Sequence, residues 1–437
     1  MNVLHVTPYY PPAYAFGGVT RAVEGMVGAL IRRGHSVTVL TTDAYTQGER
    51  LPPHPSEALS PQPPHPDGEE EKSRAALSKA SSLRSSDELK STRTGDLKPL
   101  SLRERGWGEG VTGETVIRVP NLSVWLRGRA NLSTPLGMGR AARPLLEWAD
   151  VVHVHEFRTL ENLLVTPTAA RLGKPLALSP HGTLTTETGR GAFKTVWDRL
   201  FSPAVARRFR AVIGLTQAEA ADARALWAEL GAQADFPVVP NGIDPDEFAH
   251  LPDRAAFRAQ YGLGDAPVCL FLGRLHPRKG VEALVRAFKA ADVPGAQLVI
   301  AGPDDGALAS IQPLLDKRIT LTGYLAGEAR LAALAAADVF ALPATGEGLS
   351  MASLEAMAAG LPVLLSPGCN LPEAGDAGAG LIAPPEVDPL AEALRTLLTD
   401  PVRRAAMGAA GRALVRDRFT WDAVAAALEA VYAGIAS

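Results

Sequence analysis

Val3-Leu4-His5-Val6, a loop rich in proline, tyrosine and glycine, a run from Val19 to Arg33, Gly34, and Val37-Thr38-Val39-Leu40 together decide the fold. The run carries apolar residues at helical spacing (Val19, Val23, Met26, Val27, Leu30), and Gly34 ends it. Two short apolar strands joined by a helix and a tight glycine turn make a strand–helix–strand unit. Such units build a parallel sheet with right-handed crossovers.

The same alternation recurs further along. Val151 to His155 reads as a strand, Leu160 to Ala170 as a helix, and Leu176 to Ser179 and Val212 to Leu215 as strands. A second block follows: strand Val268 to Leu272, helix Val281 to Ala291, strands Gln297 to Ala301 and Ile319 to Thr322, helix Gly327 to Ala337, strand Val339 to Leu342, helix Ser350 to Ala359 and strand Pro362 to Leu365. Two Rossmann-like, doubly wound α/β halves are expected: residues 1–45 plus 115–236, which would bind the acceptor, and residues 237–418, which would bind a nucleotide. The seam falls at Pro237 to Pro245. Residues 419–437 hold a last helix, Thr420 to Ala433, long enough to cross back over the first half. Residues 46–114 differ in texture, with prolines at 52, 53, 55, 61, 63, 64, 66 and 99 and Trp107 as their only aromatic residue. Such a segment cannot bury enough apolar surface to offset its ordering entropy, so a disordered insertion in the first half is expected.

The chain has 437 residues, 46% of them hydrophobic, and a formal net charge of −3, a balance that speaks against a nucleic-acid partner. The two cysteines, Cys269 and Cys369, match no metal spacing and no disulfide framework. The N-terminus has no secretory pattern and no segment reaches 18 uninterrupted apolar residues, so a cytoplasmic protein, meeting a membrane only from the side, is expected.

In an open parallel sheet, ligands bind beyond the carboxyl ends of the strands, where helix N-termini present free N–H groups. Three segments fall there. Gly17-Gly18 allows close approach of an anion to the backbone. Gly273-Arg274-Leu275-His276-Pro277-Arg278-Lys279-Gly280 places cations beside a helix start, where they oppose the helix dipole unless an anion lies between them; a diphosphate is the natural candidate. Glu347-Gly348-Leu349-Ser350-Met351 leads into a helix that carries Glu355 among Met351, Leu354 and Met357. A carboxylate in that setting needs a partner or a ligand. Eight residues of helix span about 12 Å, more than the roughly 5 to 9.5 Å between glycosidase carboxylates, so Glu347 and Glu355 suit opposite ends of one extended ligand.

Glu347-x7-Glu355, Arg274 with Lys279, Asn241-Gly242-Ile243-Asp244, Ser179-Pro180-His181-Gly182 and Gly17-Gly18, in this order around the chain, resemble the retaining glycosyltransferases of family 4, whose architecture is the two-Rossmann GT-B fold with a cleft between the halves. The resemblance covers the chain apart from the insertion. It implies a hexosyltransferase that takes a nucleotide-diphosphate sugar. Arg274 and Lys279 would bind the diphosphate, Glu347 the sugar hydroxyls and Glu355 the ribose, with His181 lining the sugar pocket. Gly17 and Gly18 would approach the phosphates, Leu349, Ser350 and Met351 would add contacts at the helix start, and Tyr324 would lie near the base. One departure is Ser350, where the family often has glycine. No metal or other cofactor is expected, because cations and helix N-termini can stabilise the leaving diphosphate. The implied acceptor is a glycan or a lipid-linked sugar, in cell-surface polysaccharide or glycolipid synthesis. Weaker readings are a sugar-nucleotide epimerase and a non-catalytic sugar-binding module; a dehydrogenase lacks its Gly-x-Gly-x-x-Gly.

From Arg118 to Arg210, 14 basic residues stand against 6 acidic ones. Within that stretch Phe193, Val196, Trp197, Leu200 and Phe201 share a helical face flanked by Lys194, Arg199, Arg207 and Arg208, which suits peripheral contact with an anionic membrane at the inner face. Three other motifs read as structural. Asp244-Pro245-Asp246 sits in the inter-domain loop, His153-Val154-His155-Glu156 offers two same-face histidines with no evident third ligand, and Asp304-Asp305 forms a turn.

Overall fold

Apolar runs such as Val268-Cys269-Leu270-Phe271-Leu272 are buried along their whole length, as strands covered on both faces must be. In the computed structural model the described residues are 1–14, 18–44, 113–123, 126, 132–184 and 191–437. Most of the expected insertion, residues 46–112, lies outside them, as do residue 45 and Gly17.

The first sheet holds β1 (Asn2–Val6), β2 (Ser36–Thr42), β3 (Thr115–Val119), β4 (Val151–His155), β5 (Leu176–Ser179) and β6 (Ala211–Val212), all parallel, in the order β3-β2-β1-β4-β5-β6. The second holds β7 (Val268–Leu272), β8 (Gln297–Ala301), β9 (Ile319–Gly323), β10 (Val339–Leu342), β11 (Val363–Leu365) and β12 (Gly380–Ile382), in the order β12-β11-β10-β7-β8-β9. Each sheet reverses its strand order once, between β1 and β4 and between β7 and β10. Crevices open beyond the strand ends at such points. The protein is therefore an α/β molecule of two Rossmann-like domains.

The strand expected at Val212 to Leu215 is shorter than its apolar run. β6 stops at Val212, and Gly214 pairs instead with Val238 on the segment leading to the seam. Helices Met138–Trp148, Gln217–Glu229, Val387–Thr399 and Pro401–Arg418 were not anticipated; three of them carry internal or leading prolines (Pro144, Pro389 and Pro401) that break a simple reading. At the seam, Ile243 N–H donates to Phe419 O at 2.8 Å and Trp421 N–H to Ile243 O at 3.3 Å, so the two crossings of the chain run side by side. The last helix, Trp421–Ala436, is three residues longer at its end than its apolar pattern suggested. Its Val424, Ala425, Leu428, Tyr432 and Ile435 share a core with Val23, Met26 and Leu30 of helix Gly18–Arg32. Among the described residues no helix is long and apolar enough to cross a membrane.

Candidate active site

The loop leaving β7 is fixed by its own sequence. His276 Nδ1 accepts from Arg278 N–H at 3.1 Å, which folds Pro277–Lys279 into a 3-10 turn. Gly280 follows with φ 71°, and a Cβ there would collide with the carbonyl of Pro343, so only glycine lets this loop close against the exit of β10. Lys279 is thereby held at the start of helix Val281–Ala291, with its Nζ 2.7 Å from Glu347 Oε2 and both side chains largely buried. Arg274 is more open, at 65% exposure, and its guanidinium lies 2.5 Å from Asp305 Oδ2.

The loop after β10 brings Glu347 to that pair. Glu347 N–H donates to Gly368 O at 2.8 Å, and Asn370 Nδ2 donates to Glu347 O at 2.6 Å. On the other flank Thr345 N–H donates to Arg278 O at 2.9 Å. Ser350 caps the next helix, Met351–Ala359, by accepting from Ser353 N–H at 3.3 Å; it and Leu349 are buried, while Met351 is half-buried. One turn further in, Glu355 lies 2.5 Å from Arg330 Nη1, with each side chain about one-tenth exposed. Arg330 also pairs with Glu247 and stacks over Phe248, 5.8 Å from the ring centre. Burial raises the Glu355 carboxyl above its ordinary range, with Arg330 opposing that rise and Arg21 of the first domain adding a smaller pull in the same sense.

The first domain supplies the opposite bank. Gly182, at φ 76°, comes so near Gly348 that a Cβ on it would rest 3.6 Å from the Gly348 Cα. Glu219 clamps this loop from behind, accepting from Gly182 N–H at 2.5 Å and from Leu215 N–H at 2.7 Å. His181 itself adopts φ 54°, and its Nε2 is 2.9 Å from His155 Nδ1. Burial holds its imidazole down to about 4, so the ring is neutral near pH 7. A cavity of about 390 Å³ runs between the banks, lined by Gly182, Glu219 and Asp222 on one side and by Arg278, Glu347 and Asn370 on the other.

Of the residues singled out in the sequence, the structure thus brings Lys279 and Glu347 into contact and sets Gly348, beside Glu347, against Gly182, beside His181. Gly18 opens helix Gly18–Arg32, and a Cβ there would meet nothing within 4 Å among the described residues. Tyr324 follows β9 and is 64% exposed. Arg274 makes its ion pair with Asp305.

Three readings need correction, and those of the Asp304-Asp305 turn and of Asp244 as a structural loop residue stand. Asp304 is the turn residue, accepting from Gly306 and Leu308 N–H groups at 3.0 Å each, whereas Asp305 belongs with Arg274. The missing third histidine beside His153 and His155 exists: β1 pairs with β4 in a register that sets His5 opposite His153, and nitrogens of the three lie within 4.8 Å of one another. Those nitrogens, His5 Nε2 excepted, already face hydrogen-bond partners, which favours a hydrogen-bonded cluster over a metal centre. The apolar face of helix Gly191–Leu200 divides: Trp197 is 6% exposed and packs on Phe201, while Val196 and Leu200 are 58% and 63% exposed; the Phe193 side chain lies outside the described residues. Arg207 and Arg208 do not flank that face freely, since they bond to Gly231 O and to Thr166 Oγ1. Asp244 caps the 3-10 turn Pro245–Phe248, accepting from Asp246 N–H at 3.0 Å.

Sequence reasoning missed Arg330, Glu219 and His5. Arg330 is a lone arginine in an alanine-rich helix, and Glu219 sits three residues after the N-cap Thr216, a spacing that signals a helix start but not a clamp on another loop.

Comparison with known proteins agrees with this architecture. Residues 17–242 match the family described as glycosyl transferase 4-like domain, and residues 266–400 match glycosyl transferases group 1. The chain belongs to the group 1 glycosyltransferases of the GT-B fold. It is 36% identical over 214 residues to the GDP-mannose-dependent monoacylated alpha-(1-6)-phosphatidylinositol monomannoside mannosyltransferase of Corynebacterium glutamicum, covering 46% of this chain and 56% of the relative. It is 30% identical over 285 residues to a 2-deoxystreptamine glucosyltransferase of Streptomyces kanamyceticus, covering 62% of this chain and 74% of the relative. The chain thus spans little more than half the length of the mannosyltransferases it matches. Among solved structures, HepE of Anabaena in complex with UDP superposes with a TM-score of 0.68 at 17% identity, covering 99% of this chain and 100% of that one, a likeness of fold.

Proposed function

We propose that the protein is a retaining, metal-independent glycosyltransferase that moves a hexose from a nucleotide-diphosphate donor to a lipid-linked or glycan acceptor. The observation that carries the reading is the buried Lys279–Glu347 pair at the start of helix Val281–Ala291, facing the Gly182–Gly348 approach across the cleft. A diphosphate arriving there competes for Lys279 and for the free N–H groups of the helix. Glu347, released from its counter-charge, then accepts hydrogen bonds from sugar hydroxyls. Arg274 is exposed enough to swing from Asp305 to a phosphate, and Glu355, steadied by Arg330, receives the ribose. Gly18 borders the phosphates, and the backbone of Leu349 to Met351 adds donors.

The chemistry follows from charge. The bond between the sugar C1 and the phosphate oxygen breaks, and negative charge grows on the diphosphate, where Lys279, Arg274 and the helix N–H groups stabilise it. The acceptor oxygen bonds C1 on the same face, and its proton passes to the departing phosphate oxygen. His181 lines the side of the sugar. No metal is assigned a part. The relatives' GDP-mannose and phosphatidylinositol mannoside, and the UDP of HepE, support a nucleotide sugar and a lipid-linked acceptor. The exposed Val196, Leu200 and Phe201 beside Arg199 support peripheral contact with an anionic leaflet at the inner face of the membrane, in glycolipid or cell-surface polysaccharide synthesis.

Thermal-shift measurements with uridine, guanosine and adenosine diphosphates, with and without a chelator, test the reading. Ligand at 100 times its dissociation constant adds about 2.7 kcal/mol of stability. One nucleotide should shift the transition regardless of chelator, and Glu355→Ala should abolish the shift. A shift without sugar transfer or donor hydrolysis would favour a binding module, and a shift that needs a divalent ion would overturn metal independence.

A further inference from the structure

The four histidines behind the cleft form a connected set. His5 Nδ1 and His155 Nε2 are 2.9 Å apart, and so are His155 Nδ1 and His181 Nε2. The rings lie nearly parallel along this line, His5 to His155 at 5.2 Å between centres and 11° between planes, His155 to His181 at 5.2 Å and 26°. His153 stands beside the chain, its ring centre 4.4 Å from that of His155 and 5.0 Å from that of His5. It takes no link in the chain, because its Nδ1 faces the Tyr432 hydroxyl at 2.7 Å and its Nε2 faces Ser179 Oγ at 2.8 Å. The last helix thus reaches across to buttress the cluster through Tyr432.

Burial holds all four imidazoles neutral, His5 down to about 3 and His181 to about 4, with His153 and His155 well below the usual range. A neutral imidazole has one donor and one acceptor, so the sense of one link fixes the next. Three rings in line then have only two arrangements. In the first, His5 Nδ1–H donates to His155 Nε2, His155 Nδ1–H donates to His181 Nε2, and the proton of His181 sits on Nδ1. In the second every proton is reversed, and His5 Nε2 carries an N–H. Both terminal nitrogens, His5 Nε2 and His181 Nδ1, are buried without a partner. Each arrangement therefore leaves one N–H unmet, and its place decides between them. His5 is fully buried, so an orphan N–H there is never relieved. His181 is only half-buried as a residue and adjoins Gly182 of the cavity wall, so its N–H, covered in this structure, is the one that a small shift of the Gly182 loop would open to a ligand.

We propose that His5, His155 and His181 form a tautomer-locked imidazole chain, in which His5 and His155 are positioning residues that keep the His181 proton on Nδ1, offered to an oxygen of the donor sugar. The lock itself stands on geometry; its effect on turnover rests on the transferase reading.

Nitrogen NMR of the full chain labelled with ¹⁵N-histidine tests it without any substrate. In the wild type, nitrogen–nitrogen couplings across hydrogen bonds should join His5 to His155 and His155 to His181, with His181 as a single tautomer protonated on Nδ1. His5→Phe, which keeps a ring but cannot donate, should shift the His181 nitrogens toward the average of both tautomers although it does not touch His181. It should also lower kcat about tenfold while donor KM stays within about twofold, and His5→Asn, which restores a donor, should recover the tautomer and the rate. Absent couplings in the wild type, or a His181 protonated on Nε2, would overturn the proposal even if His5→Phe does not fold. A folded His5→Phe with unchanged His181 signals would do the same. A wild type that passes the NMR test but transfers no sugar would leave the lock standing and remove the transferase reading.

Discussion

Glu156, the residue after β4, is a carboxylate whose titration should be visible in the stability of the first domain. Its backbone is left-handed, at φ 64°, and its carbonyl accepts from Asn162 Nδ2 at 2.9 Å, so the backbone there is held in place. Burial, and secondarily the neighbouring Glu161, push its carboxyl from 4.5 up to about 7. The folded protein therefore keeps a proton that the unfolded chain has already lost between those values, and its stability falls as pH rises through that window. At 1.36 kcal/mol per pH unit the full loss is about 3 kcal/mol. Glu156 is half-buried, and screening by solvent reduces the expected loss to about 2 kcal/mol. Glu156→Gln keeps the size and the backbone strain but does not titrate. It should match the wild type at pH 4.5 and be about 2 kcal/mol more stable at pH 8. Urea unfolding followed by tryptophan fluorescence reads this well, because Trp107, Trp125, Trp148, Trp197, Trp227 and Trp421 all lie in the first half or the helix that returns to it. Parallel curves for the two proteins across this pH range would refute the reasoning.

Two further outcomes follow from the site. Gly182→Ala forces a side chain into a left-handed conformation beside Gly348, so it should cost about 1–2 kcal/mol in unfolding and weaken nucleotide-sugar binding in calorimetry; unchanged affinity would place the donor elsewhere. Val196→Glu with Leu200→Glu alters two exposed positions and should leave stability within about 0.5 kcal/mol while lowering sedimentation with anionic vesicles at least about tenfold. Equal sedimentation would remove this helix from any membrane contact.

The repeated unit of apolar run, helix and glycine was enough to read two doubly wound halves, because strands buried on both faces cannot hide their composition. The β4 run Val151 to His155 and the β7 run Val268 to Leu272 coincide with their strands to the residue. Residues whose role is local were legible too: Gly34 as a helix stop, and Lys279 and Glu347 on loops at strand ends. The partners were not legible. Arg330 meets Glu355 from a helix on another strand connection, Glu219 reaches a loop 37 residues away, and His5 meets His155 across 150 residues. Spacing along the chain carries information about faces and turns, whereas these contacts depend on sheet register.

That difference bears on how the site is built. Residues read from the sequence stand on the cleft-facing loops, and those that were missed stand behind them: Glu219 holds the Gly182 loop, Arg330 holds Glu355, and the His5–His155 pair reaches His181. A loop alone does not hold a side chain to the fraction of an ångström that group transfer demands. Tyr432 extends the same support from the far end of the chain, since its hydroxyl meets His153, which also bonds Ser179 at the end of β5, two residues before His181. The returning helix therefore does more than tie the halves together. It completes the packing beneath the loop that carries His181, so a truncation removing residues 421–437 should disturb His181 even where both sheets remain folded.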